Sequence, residues 1–568
     1  MQFSVRRRVY AASSDLPLHL HPVLRRVYAA RGIGRPSDLD LSLERLAPIS
    51  SLEGVEQAAQ LLAAHRAERV LIVGDFDADG ATSSALMVRA LRAMNFAHAD
   101  FLVPNRFRFG YGLTPEIVEL AAERDPTLIV TVDNGISSIA GVAAAIARGI
   151  PVLVTDHHLP GSQLPAAAAI VNPNLAHSRF TSPALAGVGV AFYVLAALAK
   201  LLQPKDVRVA DWLDLVAVGT VADVVALDHN NRVLVSQGLK RIRAGRCVPG
   251  ILALLKAAGR EVESASAADL GFAVGPRLNA AGRLDDMSIG IACLLADDMG
   301  EATRLADQLA KLNTERREIE QRMQEDALAL IGNLQWQGLA ADAGVCLFDE
   351  SWHQGVVGLV AGRMKDRLHR PVIAFARADD AGLRGSARSV PGIHIRDALE
   401  AVATRHPELI DKFGGHAMAA GLSLKEENLA AFRLAFAQEV ASRANEEILA
   451  GVVYSDGELG EAEMCLDTAQ LLRSAGPWGQ GFPEPVFDGE FRVLEMRIVG
   501  DKHLKLQLSR GTALKVEAIA FGYIGGVSED TQLKPGATVK IAYRLEVNEY
   551  RGNERLQLNC QHFARTEC

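Results

Sequence analysis

Three short segments of this chain hold residue types that bind cations and move protons. Asp75-Phe76-Asp77-Ala78-Asp79-Gly80 sets three carboxylates at alternate positions, Thr131-Val132-Asp133-Asn134-Gly135 adds another, and Asp156-His157-His158 joins an acid to a pair of imidazoles. On an extended segment alternate side chains point to one side, so at least two of the first three carboxylates can converge. Carboxylates that close repel and raise one another's pKa, and a cation between them relieves the repulsion. Oxygen plus imidazole donors favour Mn2+, Mg2+, Fe2+ or Zn2+ over Ca2+. Each segment also has an ordinary structural use. A D-x-D-x-D-G run opens an EF-hand loop, but the twelfth position here is Leu86 where that loop needs Glu. Paired aspartates after a strand also mark haloacid-dehalogenase-type sites, but Ala81 stands where a hydroxyl or branched residue is expected. Asp133-Asn-Gly alone makes a turn, and Asp156 alone caps a helix. All three together, each after a strand, point to chemistry.

The elements that must position these residues form a regular pattern. Arg69–Asp77 reads as a strand running into a loop, and Ala81–Met94 as a helix. Leu128–Gly135 is the next strand and loop, Ser138–Arg148 the next helix, and Pro151–His158 repeats the strand. Strands alternating with helices imply βαβ units and a parallel sheet. The acidic and histidine residues then fall at the carboxyl ends of parallel strands, where open α/β sheets place their sites. Glu301–Ile331 lacks Gly and Pro and is dense in charged residues, which predicts a long exposed helix connecting domains. A second α/β region spans about 340 to 446, with glycines around Gly355–Gly362 and Gly414–Gly421. From about residue 453 apolar and polar residues alternate between turns, which predicts an all-β module, a small five-stranded barrel of the OB type.

Composition sets outer limits. At 568 residues the chain exceeds what one core serves, and 49% apolar with 23% charged residues is the balance of a globular protein. The net charge of −8 argues mildly against nucleic acid unless the contact is a local patch or cations supply positive charge. Cys247, Cys293, Cys346, Cys465, Cys560 and Cys568 are scattered without a CxxC pair, the pattern of a reducing compartment. Arg6, Arg7 and Arg8 are followed by no apolar stretch of the kind a signal peptide needs. The longest apolar run, Ala184–Ala199, falls short of the roughly 20 residues that span a membrane, so a buried core helix is expected. A cytoplasmic monomer without membrane contact is the expectation.

A family resemblance rests on these residues and others downstream. Asp75-Phe-Asp-Ala-Asp-Gly, Val132-Asp133-Asn-Gly, Asp156-His-His and Gly219-Thr-Val-Ala-Asp223-Val resemble the four motifs of the DHH phosphoesterase superfamily. Gly275-Pro-Arg277-Leu-Asn279-Ala-Ala-Gly-Arg283, His353-Gln-Gly-Val-Val-Gly358, Ser386-Ala-Arg388-Ser and Gly414-Gly-His416-Ala-Met-Ala-Ala-Gly421 follow in order. The full set, from about residue 40 onward, resembles the superfamily's bacterial branch of single-strand-specific 5′→3′ exonucleases. The resemblance implies an N-terminal extension (1–40), a parallel-sheet DHH catalytic domain (41–300), a connecting helix (301–335), a DHHA1-type substrate-binding α/β domain (336–450) and an OB-fold domain (451–568).

The resemblance also implies roles. One divalent cation, Mn2+ or Mg2+, would sit on Asp75, Asp77 and Asp133. A second would sit on Asp79, Asp133, His157 and Asp223, so that Asp133 bridges the two, while His158 faces the scissile phosphate. The mechanism implied is two-metal hydrolysis, the cations offsetting charge on the phosphate oxygens. On the substrate side it implies Arg106, Arg277, Asn279, Arg283, Ser386, Arg388, Gly414, Gly415 and His416. The arginines are candidates for a terminal 5′-phosphate, which a guanidinium matches bidentately, and the two glycines let backbone approach a phosphate closely. Near Arg106, Arg108 stands where such exonucleases often carry an acid. In the β module Lys502, Lys505, Arg510, Tyr523, Tyr550 and Arg551 are candidates to hold single-stranded DNA. The implied product is the 5′-mononucleotide, the implied setting DNA repair and recombination, and the implied partners a RecQ-type helicase and a single-strand-binding protein. Two alternatives remain. An oligoribonucleotidase or cyclic-dinucleotide phosphodiesterase of the same superfamily would usually lack the β module. A non-catalytic replication scaffold of the same fold would have lost ligands that are all present here.

Overall fold

The structure, a computed structural model, describes residues 4–10, 15–105, 109, 112–332, 343–378, 382–500, 502–511, 514–523, 533–550 and 553–564. It opens with a short arm, β1 (Ser4–Arg7), whose partner strand lies far along the chain. The first sheet follows: β2 (Arg69–Gly74), β3 (His98–Leu102), β4 (Leu128–Val132), β5 (Val152–Thr155) and β6 (Ala169–Val171). All its pairings are parallel, in the order β3-β2-β4-β5-β6. β4 and β5 are buried at every position, the continuous apolar run that a sheet covered on both faces requires. Helices Ala78–Ala93, Pro115–Ala122 and Ile139–Ala147 supply the crossovers. The chain passes from β2 outward to β3 and then back to β4 on β2's other side, so a crevice opens at the carboxyl ends of β2 and β4.

Some helices begin elsewhere than the sequence suggests, for identifiable reasons. The helix expected from Ala81 begins at Ala78, because the Asp77 carboxylate caps it, accepting from Asp79 N at 2.9 Å and Gly80 N at 3.0 Å. The extended alternation therefore stops at Asp77, and Asp79 enters the centre from a helical turn. The apolar run from Ala184 becomes the helix Gly187–Leu202, buried along nearly its whole length. The connecting helix runs Met299–Gly332, 34 residues and about 51 Å at 1.5 Å per residue. It is less exposed than expected, since Leu305, Leu309, Asn313 and Glu320 are buried along one side.

The second unit is a mixed sheet, β7 (Val345–Phe348), β8 (Val372–Arg377), β9 (Gly382–Arg388), β10 (Lys412–Gly415) and β11 (Ala419–Lys425), in the order β10-β11-β9-β8-β7. Only β7 and β8 pair in parallel. After β12 (Val452–Ser455), the chain closes a five-stranded barrel from β13 (Phe487–Val499), β14 (His503–Arg510), β15 (Leu514–Ala520), β16 (Thr538–Tyr550) and β17 (Asn553–Ala564).

The described residues of the N-terminal segment, 4–10 and 15–40, form a wedge that meets both the helices of the first unit and the barrel. β1 pairs in parallel with β12, Ser4 opposite Val452 through Arg7 opposite Ser455. The Arg7 guanidinium grips the buried Asp488 carboxylate at 2.8 Å. Arg31 and Asp456 form a fully buried ion pair, also at 2.8 Å. Tyr28 packs on Trp478 and Phe482 with ring centroids 6.1 and 6.4 Å apart. One continuous apolar core accordingly runs from Leu16 and Val27 through the first unit to Phe487 and Phe563. Removing one partner of a buried ion pair leaves the other charge uncompensated, at about 3–5 kcal/mol. Arg31→Ala leaves Asp456 only the more distant Arg8, at 3.7 Å, so the unfolding free energy read from a urea titration should fall toward the lower end of that range and the midpoint should drop. A midpoint within error of the parent would show that the wedge does not secure the barrel.

Candidate metal centre

The loops after β2, β4 and β5 deliver their acidic and histidine side chains to the crevice. Asp75 follows β2 and is almost fully buried. Asp133 follows β4 in the left-handed region, φ 61°, so that its main chain turns back while its N–H donates to Thr155 O at 3.0 Å. His157 Nε2 lies 3.1 Å from Asp133 Oδ1 and 3.5 Å from Asp223 Oδ2, Asp223 being at the carboxyl end of the helix Leu213–Ala222. Three sets of ligand-type atoms each fall within 4.8 Å of one another: Asp75, Asp77 and Asp133; Asp79, His157 and Asp223; and Asp133, His157 and His158. Every residue expected to hold a cation thus belongs to one of these sets.

Packing this much acid together has electrostatic consequences. Burial first, then neighbouring Asp77, pushes Asp79 up to about 7. Burial, followed by the surrounding aspartates, raises Asp133 and Asp223 well above the carboxylate range. Burial and the adjacent His158 hold His157 down to about 4, leaving its imidazole neutral, the form that binds a cation. Asp79 is moored by the first turn of the helix Gly187–Leu202: its carboxylate accepts from Gly187 N at 2.6 Å and Val188 N at 2.9 Å, where the helix dipole favours an anion. That helix reaches the centre because residue 187 has no side chain. A Cβ there would stand 2.6 Å from Asp133 Oδ1 and 2.7 Å from Asp133 Cβ.

His158 behaves differently. Its Nδ1 lies 2.7 Å from Asp156 Oδ1. Burial opposes its charge, but the Asp156 hydrogen bond and the neighbouring acids prevail and raise it to about 9. Asp156 also accepts from the main-chain N–H groups of Ile136, His157 and His158 at 2.9, 2.7 and 3.0 Å. Burial works against its charge, yet His158 and these amides hold it below its ordinary value. It orients the second histidine, a role that the sequence reading did not assign. An acid two residues before a histidine can make this local turn, which is the signal that was available.

The substrate-side candidates divide. His416, on the turn between β10 and β11, lies across from His158 with ring centroids 5.9 Å apart and planes 20° from parallel. Gly415 takes φ 142°, a conformation glycine alone tolerates well, and the exposed Gly414 adjoins it. Arg388 bonds Ser386 Oγ at 3.0 Å and Ala387 O at 2.8 Å, and a Cβ on Gly358 would lie 3.0 Å from its guanidinium. Arg283 donates to Gly355 O at 3.1 Å, so it meets the same loop from the first unit. Asn279 turns inward instead, its Oδ1 accepting from Ala78 N at 2.7 Å beneath the Asp77–Asp79 turn. Arg277 leaves the group as well, donating to Ala273 O and Ala257 O beside Arg317 and Arg260. Arg106 lies outside the described residues, as do Arg108 and Arg551.

Three of the described barrel candidates are engaged by different neighbours. Lys505 pairs with Glu517 at 2.9 Å, Arg510 donates to Leu459 O at 2.8 Å, and Tyr523 packs edge-on against Phe563. Lys502 is exposed, and the Tyr550 side chain is outside the described set.

A parallel sheet whose strand ends converge acids and a histidine pair on one crevice is the arrangement of the DHH phosphoesterases. The family model described as "DHH family, N-terminal domain" matches residues 69–220. The DHHA1 domain model matches 341–442, and the RecJ OB domain model matches 455–562. The chain is 52% identical over 569 aligned positions to the single-stranded-DNA-specific exonuclease RecJ of Escherichia coli (strain K12), covering 98% of each. It is 50% identical to the RecJ of Haemophilus influenzae over 95% of each. The crystal structure of the Thermus thermophilus RecJ in complex with Mn2+ superposes with TM-score 0.82 at 30% identity, covering all of this chain and 80% of that one. The chain belongs to the RecJ family.

The approach at Gly187 gives a test of the centre's packing. Gly187→Ala should cost about 1–3 kcal/mol as overpacking, because the methyl group meets Asp133 rather than a yielding side chain. Chemical denaturation in EDTA reads this directly. An unshifted midpoint would mean that Asp133 is free to move aside.

Proposed function

We propose that this protein is a single-stranded-DNA-specific exonuclease that works 5′→3′ and releases 5′-mononucleotides by metal-dependent hydrolysis. The observation that carries the proposal is the placing of Asp133 in contact with both acidic sets, within 4.8 Å of Asp75 and Asp77 on one side and 3.1 Å from His157 on the other. Asp75, Asp77 and Asp133 would hold one divalent cation, Mn2+ or Mg2+, and Asp79, Asp133, His157 and Asp223 a second. The donor set fits such ions: carboxylate oxygens with one neutral imidazole. Bound there, the pair would supply the Lewis acidity that phosphodiester hydrolysis needs.

The chain's own groups do the rest. His158, kept cationic by Asp156, is placed to donate to a phosphate oxygen, with His416 facing it from the second unit. Arg388, Ser386 and Arg283 gather on the His353–Gly358 loop, where a terminal 5′-phosphate would meet guanidinium donors. Burial alone lowers the Arg388 pKa, with no acidic neighbour among the described residues to offset its charge. An exonuclease confined to single strands depends on another enzyme to separate duplexes. We therefore propose a RecQ-type helicase and a single-strand-binding protein as partners, and repair and recombination as the setting.

Digestion of end-labelled single and double strands with Mn2+, Mg2+ or EDTA tests the activity. Asp133→Ala should abolish hydrolysis while single-strand binding persists; near-normal turnover in metal-saturated Asp133→Ala would break the shared-ligand assignment. Degradation should begin at 5′ ends, and mononucleotides released from 3′ ends, or cuts within circular single strands, would remove the end pocket.

Protons and cations should compete at this centre. In metal-free protein the raised carboxyls of Asp79, Asp133 and Asp223 keep protons that the unfolded chain has lost above about pH 4. Their contribution to stability therefore falls as pH rises above about 4, for Asp79 until about 7. His157, neutral above about 4, works in the opposite direction only below about 6.5. Cation binding displaces the carboxyl protons, so the rise in melting temperature with Mn2+ should be larger at pH 8 than at pH 6.5. Equal rises at the two pH values would contradict the site.

A further inference from the structure

β6 is the shortest strand of the first sheet, lies at its edge, and brings no carboxylate or imidazole to the centre. Directly after it come Asn172-Pro173-Asn174. Asn172 is completely buried. Its Nδ2 donates to the main-chain carbonyl of His158 at 2.9 Å, and its Oδ1 accepts from Asn174 N at 2.7 Å. Asn174 Nδ2 donates to the main-chain carbonyl of His157 at 2.6 Å. β5 has already ended at Thr155, and beyond it the strand pairing continues only as Asp156 N donating to Val171 O at 3.1 Å. The peptides that carry both imidazoles are thus tied to the β6 end by two side-chain amides.

The chemistry of that tie is selective. A carbonyl accepts, so the side chain that holds it must donate, which a carboxylate cannot do. Lysine or arginine could donate but would bring a charge into a centre whose balance is already set by buried aspartates. A neutral amide does neither. Swinging either peptide would swing its imidazole, and such centres tolerate displacements of only about 0.5 Å.

We propose that Asn172 and Asn174 are positioning residues for the histidine pair, Asn174 fixing His157 for its cation and Asn172 fixing His158 for the phosphate. The assignment rests on the reading that His157 holds a cation. It predicts that the two asparagines separate metal binding from turnover, which a generally structural role would not do.

The test uses the full chain and two readouts. Mn2+ affinity is measured from the electron paramagnetic resonance signal of free Mn2+, and kcat on a short single-stranded oligonucleotide at saturating Mn2+. Asn174→Ala should bind Mn2+ about 10-fold or more weakly, the usual range for such supporting residues, and recover most of its kcat at saturation. Asn172→Asp keeps the acceptor for Asn174 N but loses the donor to His158 and adds a buried carboxyl. The neutral, similarly sized Asn172→Leu is therefore measured beside it to separate the lost donor from the added charge. Both Asn172 variants should bind Mn2+ as the parent does, with kcat lowered about 10-fold. A thermal transition checks folding, and if Asn174→Ala does not fold, the isosteric Asn174→Asp carries the same test. Parental Mn2+ affinity in the folded Asn174 variant, or equal losses of affinity and kcat at both positions, would overturn the inference. If the parent itself binds no Mn2+, it is the metal-centre reading that fails.

Discussion

Everything in the first unit answers to one constraint: a cluster of aspartates and a histidine pair crowd into a buried crevice, where like charges cannot be left to face one another. Each acid is dealt with in its own way. Asp77 caps the helix it begins, and Asp79 takes the two leading N–H groups of the helix Gly187–Leu202. Asp156 collects three main-chain amides and an imidazole. Burial and the neighbouring aspartates nevertheless raise Asp79, Asp133 and Asp223 together. Cations held among them would complete the balance.

The scaffold follows from that demand. A parallel sheet puts successive strand ends side by side, and the reversal of strand order beside β2 leaves room between the Asp75 and Asp133 loops. A helix can then aim its N-terminus into the gap, provided that its first residue is a glycine. The second unit faces the same opening through His416. The barrel is held from behind by the N-terminal arm and a buried ion pair rather than hung on a flexible tether.

Much of this was legible in the sequence, for local reasons. A β-branched run ending in acids announces both a buried parallel strand and its functional end, so Asp75, Asp77, Asp133 and His157 could be placed before the fold was seen. The long helix was legible because 34 residues without proline leave no other reading. What stayed hidden depends on distant contacts. Asn172 and Asn174 look like turn residues until the carbonyls they hold are known. Arg277 and Arg283 share one helix, but six residues is about 240° of turn, so only Arg283 meets the second unit. The docking of Tyr28 and Arg31 was invisible, since their partners lie more than 400 positions away. The extended alternation expected through Asp79 stops at Asp77, because Asp77's capping begins a helix there.

Electron paramagnetic resonance of the Mn2+-loaded protein tests most directly whether two cations share Asp133. Two ions bridged by one carboxylate should bind with a stoichiometry of two and show the exchange-coupled spectrum of a pair. In Asp133→Ala that coupling should vanish. A single bound Mn2+ at saturation, or two ions with no coupling in the parent protein, would contradict the account.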